Sequence, residues 1–158
     1  MSSLTCNKLQ DLLQQEITIL CSMSHHNIIR CHEVLKSANN CYIITELCEQ
    51  GNLETFLKQK KRLSEEELWP YVRDIYEGLR YLAKEGIVHR DLKISNLFMK
   101  NGVVKIADFG FAIRTRYKDQ YSATISTILV SALLSIWLLR GTSRNDMDQR
   151  QMSGPLVL

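Results

Sequence analysis

At 158 residues, with 45% hydrophobic and 23% charged side chains, the chain has the size and balance of one globular domain that can bury a core of its own. Its net charge of +3 comes from scattered Lys and Arg. The one basic cluster, Lys58, Lys60, Lys61 and Arg62, reads as a solvated face, so no nucleic-acid partner is expected. The opening "MSSLTCNKLQ" has no apolar stretch of the kind a secretory signal carries, and the five cysteines are odd in number, which together predict reduced thiols in a cytoplasmic protein.

Leu9, Leu12, Leu13, Ile17 and Leu20 recur at helical spacing and predict an amphipathic helix from Lys8 to Leu20, with Glu16 beside the apolar stripe. A "HHNII" turn follows. Cys21, His25, His26, Cys31 and His32 crowd this stretch, but without a Cys-x-x-Cys pair a structural turn is favoured over a zinc site. "RCHEVLKS" and "CYIITELC", parted by "ANN", predict a β-hairpin, and Asn52 is the expected N-cap of a short helix starting at "NLETFL".

"LSEEELWPYVRDIYEGLRYLAKEG" carries the strongest helix signal. Ser64 and Glu67 can form a capping box, Leu68, Tyr71, Ile75, Leu79 and Leu82 share a face, and Gly86 suits the C-terminal stop. Pro70 conflicts with this pattern and predicts a kink or a delayed start. In "NLFMKNGVVKIADFG", two β-type runs flank Asn101-Gly102, the preferred pair for a type I′ turn. That hairpin brings Asn96 and Asp108 together, an amide oxygen and a carboxylate able to share a hard cation such as Mg²⁺. Asp91 and Lys93 project from the adjoining loop. A carboxylate to orient a hydroxyl, a cation to offset phosphate charge and two metal ligands are the parts phosphoryl transfer needs.

"HRDLKISN" followed by "DFG" resembles the catalytic core of the eukaryotic protein kinases, over roughly residues 8–113. The resemblance implies Asp91 as catalytic base, Lys93 as the phosphate-neutralising lysine, and Asn96 and Asp108 as Mg²⁺ ligands. It sets Glu16 of "QQEITIL" at the family's helix glutamate in the ATP site and likens "ITELCEQGNL" to the hinge, with Thr45 as gatekeeper and backbone groups of Glu46 and Cys48 on adenine. Lysine two places after the base is the serine/threonine pattern, and "DFGFA" and "GVVKIADFG" resemble the autophagy-initiating kinases. What is implied is an α+β, partial kinase-like fold: an incomplete small lobe, then the first half of a helical large lobe. The implied activity is transfer of the ATP γ-phosphate to Ser or Thr of a protein substrate.

Departures from the family pattern predict a weak or inactive chain. No G-x-G-x-x-G or V-A-I-K motif precedes Glu16, and no A-P-E or D-x-W-x-x-G follows Ile113, so Glu16 is expected to lack an ion-pair partner and Arg90 to have none evident. A non-catalytic pseudokinase or binding scaffold is the alternative. Residues 114–158 are unlike a kinase as written. The apolar run Ile125 to Leu139 falls short of the ~20 residues of a membrane span, which leaves a membrane segment and a core helix both open. A third reading is translation out of frame. Read from the last base of each codon, Ser131 to Arg140 can encode Gly-Ser-Pro-Leu-Tyr-Met-Ala-Pro-Glu and Gln151 to Val157 can encode Asp-Val-Trp-Ser-Leu-Gly, the two missing motifs in their family order. Apolar surface left uncovered by the missing parts is an expected aggregation hazard.

Overall fold

The computed structural model describes residues 3–38, 40–60 and 63–115. Helix α1 spans Ser3–Ser22, longer at both ends than its apolar spacing predicts. Ile17 and Leu20 are buried as expected, joined by Ile19 and Met23, whereas Leu13 is exposed. Leu9 and Leu12 lie outside the described side chains.

The "HHNII" turn docks on the strand that ends before Asp108. Its buried Asn27 donates Nδ2 to Val104 O at 3.1 Å. The backbone continues the docking, with Ile106 N donating to Asn27 O and Ile29 N to Ile106 O, both at 2.9 Å. No group of three or more His, Cys, Asp or Glu able to hold a metal occurs among the described residues. The expected hairpin follows as β1, Cys31–Lys36, and β2, Cys41–Thr45, antiparallel with an irregularity between Cys31 and Glu33. Helix α2, Leu53–Gln59, starts from Asn52, whose Oδ1 accepts from Thr55 N at 2.8 Å.

Helix α3, Glu65–Lys84, has the predicted capping box in full: Glu67 N donates to Ser64 Oγ and Ser64 N to Glu67 Oε2. Pro70 neither delays its start nor interrupts it. The bond that proline forfeits would have ended on the carbonyl of Glu66, and Glu66, Trp69, Pro70 and Arg73 all face outward, where water can take that oxygen. The inner face buries Ile75, Leu79 and Leu82. At Gly78 the helix comes so close to the next hairpin that a Cβ would stand 2.7 Å from Ile106 Cδ1.

Strands β3, Ile87–Val88, β4, Leu97–Lys100, β5, Val103–Ile106, and β6, Ile113–Arg114, complete the described fold, with β4 on β5 and β3 on β6. Asn101 (φ 50°) and Gly102 (φ 77°) turn β4 into β5 with both central residues left-handed, as a type I′ turn requires. The β3–β6 pair was not foreseen. It leaves the loop 89–96 and the segment 107–112 side by side, each held at both ends by a sheet. The architecture is mixed α and β, and its core joins α1, α2 and α3 to β4 and β5 through Ile19, Leu53, Ile75, Leu97, Val104 and Ile106.

Candidate active site

The loop between β3 and β4 carries His89, Asp91, Lys93 and Asn96. The segment after β5 carries Asp108, Phe109 and Gly110. His89 joins the two: it is buried, its Nε2 lies 2.9 Å from Ala107 O, and its Nδ1 accepts from Asp91 N at 3.4 Å. Those partners assign the proton to Nε2. Burial pushes the His89 pKa below its ordinary 6.5 against the pull of the Ala107 carbonyl and of Asp108 and Asp91, so the ring stays neutral. It packs against the buried Phe109 ring, centroids 4.9 Å apart. Arg90 supplies the second tie, donating Nε to Phe111 O at 2.6 Å, a bond to a backbone carbonyl and not to the charged partner the family pattern supplies. Arg90 (φ 65°) and Asp108 (φ 64°) both hold left-handed backbone, a conformation that costs a non-glycine residue on the order of 1 kcal/mol or more and persists where neighbours enforce it.

Asp91, Lys93 and Asn96 form one hydrogen-bonded unit. Lys93 Nζ reaches Asp91 Oδ2 at 2.7 Å, while Asn96 Nδ2 donates to Asp91 O at 3.0 Å and to Oδ2 at 3.2 Å. The Lys93 ammonium holds the Asp91 carboxyl below the usual carboxylate range, and Asp91 in return raises Lys93. Because both Asn96 Nδ2 contacts turn the amide nitrogen toward Asp91, its Oδ1 is directed away as an oxygen donor. Asn96 O accepts Ala107 N at 3.0 Å, which puts Asp108 one residue beyond that contact.

Asp108 is exposed and shares its surroundings with Glu16 of α1. A Cβ placed on Gly110 would lie 3.5 Å from Asp108 Oδ1 and 3.7 Å from Glu16 Oε2, so the two carboxylates flank that glycine. Burial, then the charge of Asp108, raises the Glu16 pKa above its ordinary 4.5. Among the described residues no ion pair reaches Glu16.

Glu46 and Cys48 stand apart from this cluster. Glu46 is enclosed, and its carboxylate accepts Arg30 N at 2.9 Å, Lys100 Nζ at 2.9 Å and Lys105 Nζ at 3.2 Å, while its own N–H goes to Arg30 O. None of these bonds touches Asp91 or Asp108. Burial alone would raise the Glu46 carboxyl, but these donors outweigh it and hold it below 4.5. Cys48 is half-buried, and burial followed by the charge of Glu46 pushes its thiol up.

The donor chemistry at Asn96 and Asp108, one amide oxygen and one carboxylate with a second carboxylate behind, suits Mg²⁺, which is held by few protein oxygens and completes its shell with water and phosphate. Sequence reasoning missed the bridging role of His89 and the two lysines on Glu46. No alternation could have signalled Lys105, because β5 buries Val104, Lys105 and Ile106 in succession.

The sequence model of the protein kinase domain matches residues 3–132 of this chain. The chain belongs to the protein kinase family. It is 39% identical to serine/threonine-protein kinase polo of Drosophila melanogaster over 112 residues, 70% of this chain and 19% of that protein. Against serine/threonine-protein kinase atg1 of Dictyostelium discoideum it is 38% identical over 123 residues, 73% of this chain and 18% of that one. With mitogen-activated protein kinase kinase kinase 1 of Arabidopsis thaliana it shares 40% over 114 residues, 70% and 19%. These relatives support the serine/threonine type, and the chain spans about a fifth of their length. No helix among the described residues is long and apolar enough to cross a membrane, and the run Ile125 to Leu139 lies outside them.

Proposed function

We propose that the cluster around Asp91 serves transfer of the ATP γ-phosphoryl group to a Ser or Thr hydroxyl of a protein, and that the chain as given turns over weakly or not at all. One observation carries the reading: Asp91, Lys93 and Asn96 form a single bonded unit joined through Asn96 O and Ala107 N to the backbone of Asp108. With Oδ2 occupied by Lys93 and Asn96, a substrate hydroxyl would meet Oδ1 of Asp91. Its depressed pKa makes Asp91 a carboxylate at neutral pH and a weak base, suited to orienting the hydroxyl and taking its proton late. Lys93 lies beside it to meet phosphate oxygens. Asn96 and Asp108 would hold Mg²⁺, which when bound offsets the charge of the phosphates. Since the N–H of Glu46 is committed to Arg30 O, adenine along this stretch would meet the Glu46 carbonyl and the N–H of Cys48.

Weak turnover follows from Glu16. Positioning and charge stabilisation make up nearly all of phosphoryl-transfer catalysis, and this carboxylate meets the charge of Asp108 without an ion-pair partner among the described residues. The same observation favours the second reading, a non-catalytic pseudokinase or binding scaffold. Within the kinase reading, the described residues stand for α1 and the β1–β2 pair of a small lobe, a hinge, and the first half of a large lobe. Within the tail, residues 114–158, the sequence is proposed to run out of frame from a point between about Ile113 and Ser131, and reading the transcript tests it: stop codons or incompatible codons in the alternative frame would refute it.

Thermal denaturation with and without Mg·ATP tests the function, followed by a phosphorylation assay on Ser/Thr peptides. A Mg-dependent rise in Tm that Asp108→Asn removes is the expected result. No rise in the parent chain would favour the binding module.

A further inference from the structure

The contact between Cys21 and Cys31 belongs to none of this chemistry. Cys21 is the penultimate residue of α1 and Cys31 the first of β1, and the Cys21 thiol donates to Cys31 Sγ at 3.3 Å. Cys21 is exposed, whereas Cys31 is half-buried, and no disulfide joins them. The sulfurs are already in contact across two elements, so bonding them asks for little movement of either.

We propose that Cys21 and Cys31 are a peroxide-responsive dithiol whose oxidation to a disulfide ties the end of α1 to the start of β1 and so fixes the helix that carries Glu16. Cys21, the accessible sulfur, attacks a hydroperoxide: the O–O bond breaks, the sulfur becomes a sulfenic acid, and water or an alcohol leaves. The Cys31 sulfur then attacks the sulfenic sulfur, the S–O bond breaks, and the departing hydroxide takes the Cys31 proton as water. Two thiols have lost two electrons to the peroxide oxygens, and a dithiol such as reduced dithiothreitol returns them by exchange.

The environment sets the order. Burial, then the hydrogen bond and charge of Cys21, pushes the Cys31 thiol up to about 11, so it keeps its proton and waits for an oxidised neighbour instead of meeting peroxide first. The loop the bond would close contains the Asn27–Ile29 turn that docks on β5, so the tie reinforces an attachment the fold already makes. It is independent of any nucleotide reading.

The test uses the full chain treated with hydrogen peroxide, digested without reduction and analysed by mass spectrometry, alongside thermal denaturation before and after dithiothreitol. The expected result is a Cys21–Cys31 linked peptide that vanishes on reduction and in Cys31→Ser. With it comes a reversible rise in Tm on the order of 5–10 °C, the size a short closed loop gives. Oxidation of either thiol alone, or a link from either to another cysteine, would overturn the proposal. A Cys21–Cys31 link with unchanged or lowered Tm would overturn the claim that it fixes α1.

Discussion

Glu46 and Glu16 are both drawn into the fold, and their surroundings are opposite. Glu46 is met by the ammonium groups of Lys100 and Lys105 and by the N–H of Arg30, and its pKa is held down. Glu16 meets burial and the like charge of Asp108, and its pKa is driven up. The first carboxylate finds every partner within the described residues. The second is oriented for a cation they do not supply. A buried carboxylate with its cations is part of what holds the hairpin to the β1–β2 pair, whereas one without them is a place where a partner or ligand can add stability.

The largest effect should come from emptying the satisfied corner. Glu46→Ala would leave Lys105, whose side chain is only 11% exposed, and the N–H of Arg30 without their acceptor. A cost of about 3 kcal/mol is expected, from an uncompensated buried ammonium and an unmet donor, read as a lower urea midpoint. A change within a few tenths of a kcal/mol would mean that water reaches Lys105 and that the corner is no more enclosed than that of Glu16.

The two carboxylates should also answer acid with opposite sign. Glu46, depressed when folded, contributes stability that is complete above its ordinary 4.5 and lost as pH falls through its folded value. Glu16, raised when folded, contributes relative stability that is complete below 4.5 and lost as pH climbs through its folded value. Glu46→Gln should therefore flatten the acid limb of the stability curve. Glu16→Gln should raise stability at neutral pH and leave it unchanged at acidic pH, since it removes a carboxylate that is costly only when charged. Equal and parallel pH curves for the two variants would erase the contrast.

The contrast also shows what the sequence made legible. The Ser64–Glu67 capping box, the Asn52 cap and the Asn101-Gly102 turn are visible because each is closed by atoms a few residues apart. The adjacency of Asn96 and Asp108 follows from the hairpin between them. The bonds that fix the site are of another kind. His89 to Ala107, Asn27 to Val104 and Asp74 to the N–H of Val104 each join distant residues through one side chain, without periodicity to announce them. The two-residue pairing of β3 with β6 is likewise too short to leave a pattern. Pro70 misled because its rule assumes a buried helix face, and here the freed carbonyl faces water.

Removing the neighbour should separate the two causes at Glu16. Burial is the larger, so Asp108→Asn should lower the Glu16 pKa and still leave it above 4.5, in a titration followed by NMR of the carboxyl carbon. A full return to 4.5 would make the charge of Asp108 the whole cause and burial irrelevant.

The smallest effect belongs to the exposed end of the site, where Lys93→Met removes the principal cause of the depressed Asp91 pKa. Asp91 should then titrate higher, closer to its ordinary 3.8, with the Asn96 amide that still donates to Oδ2 at 3.2 Å left to oppose the burial that raises it. Folding stability should scarcely move, since an ion pair this open to water is screened and contributes little. The pair's consequence is chemical: Lys93 lowers the basicity of Asp91 and fixes its direction without holding the loop, a task left to His89 and Arg90. A marked loss of stability in Lys93→Met would instead make this pair a structural tie like that of Glu46, and the division between enclosed, load-carrying carboxylates and exposed, chemically poised ones would fail.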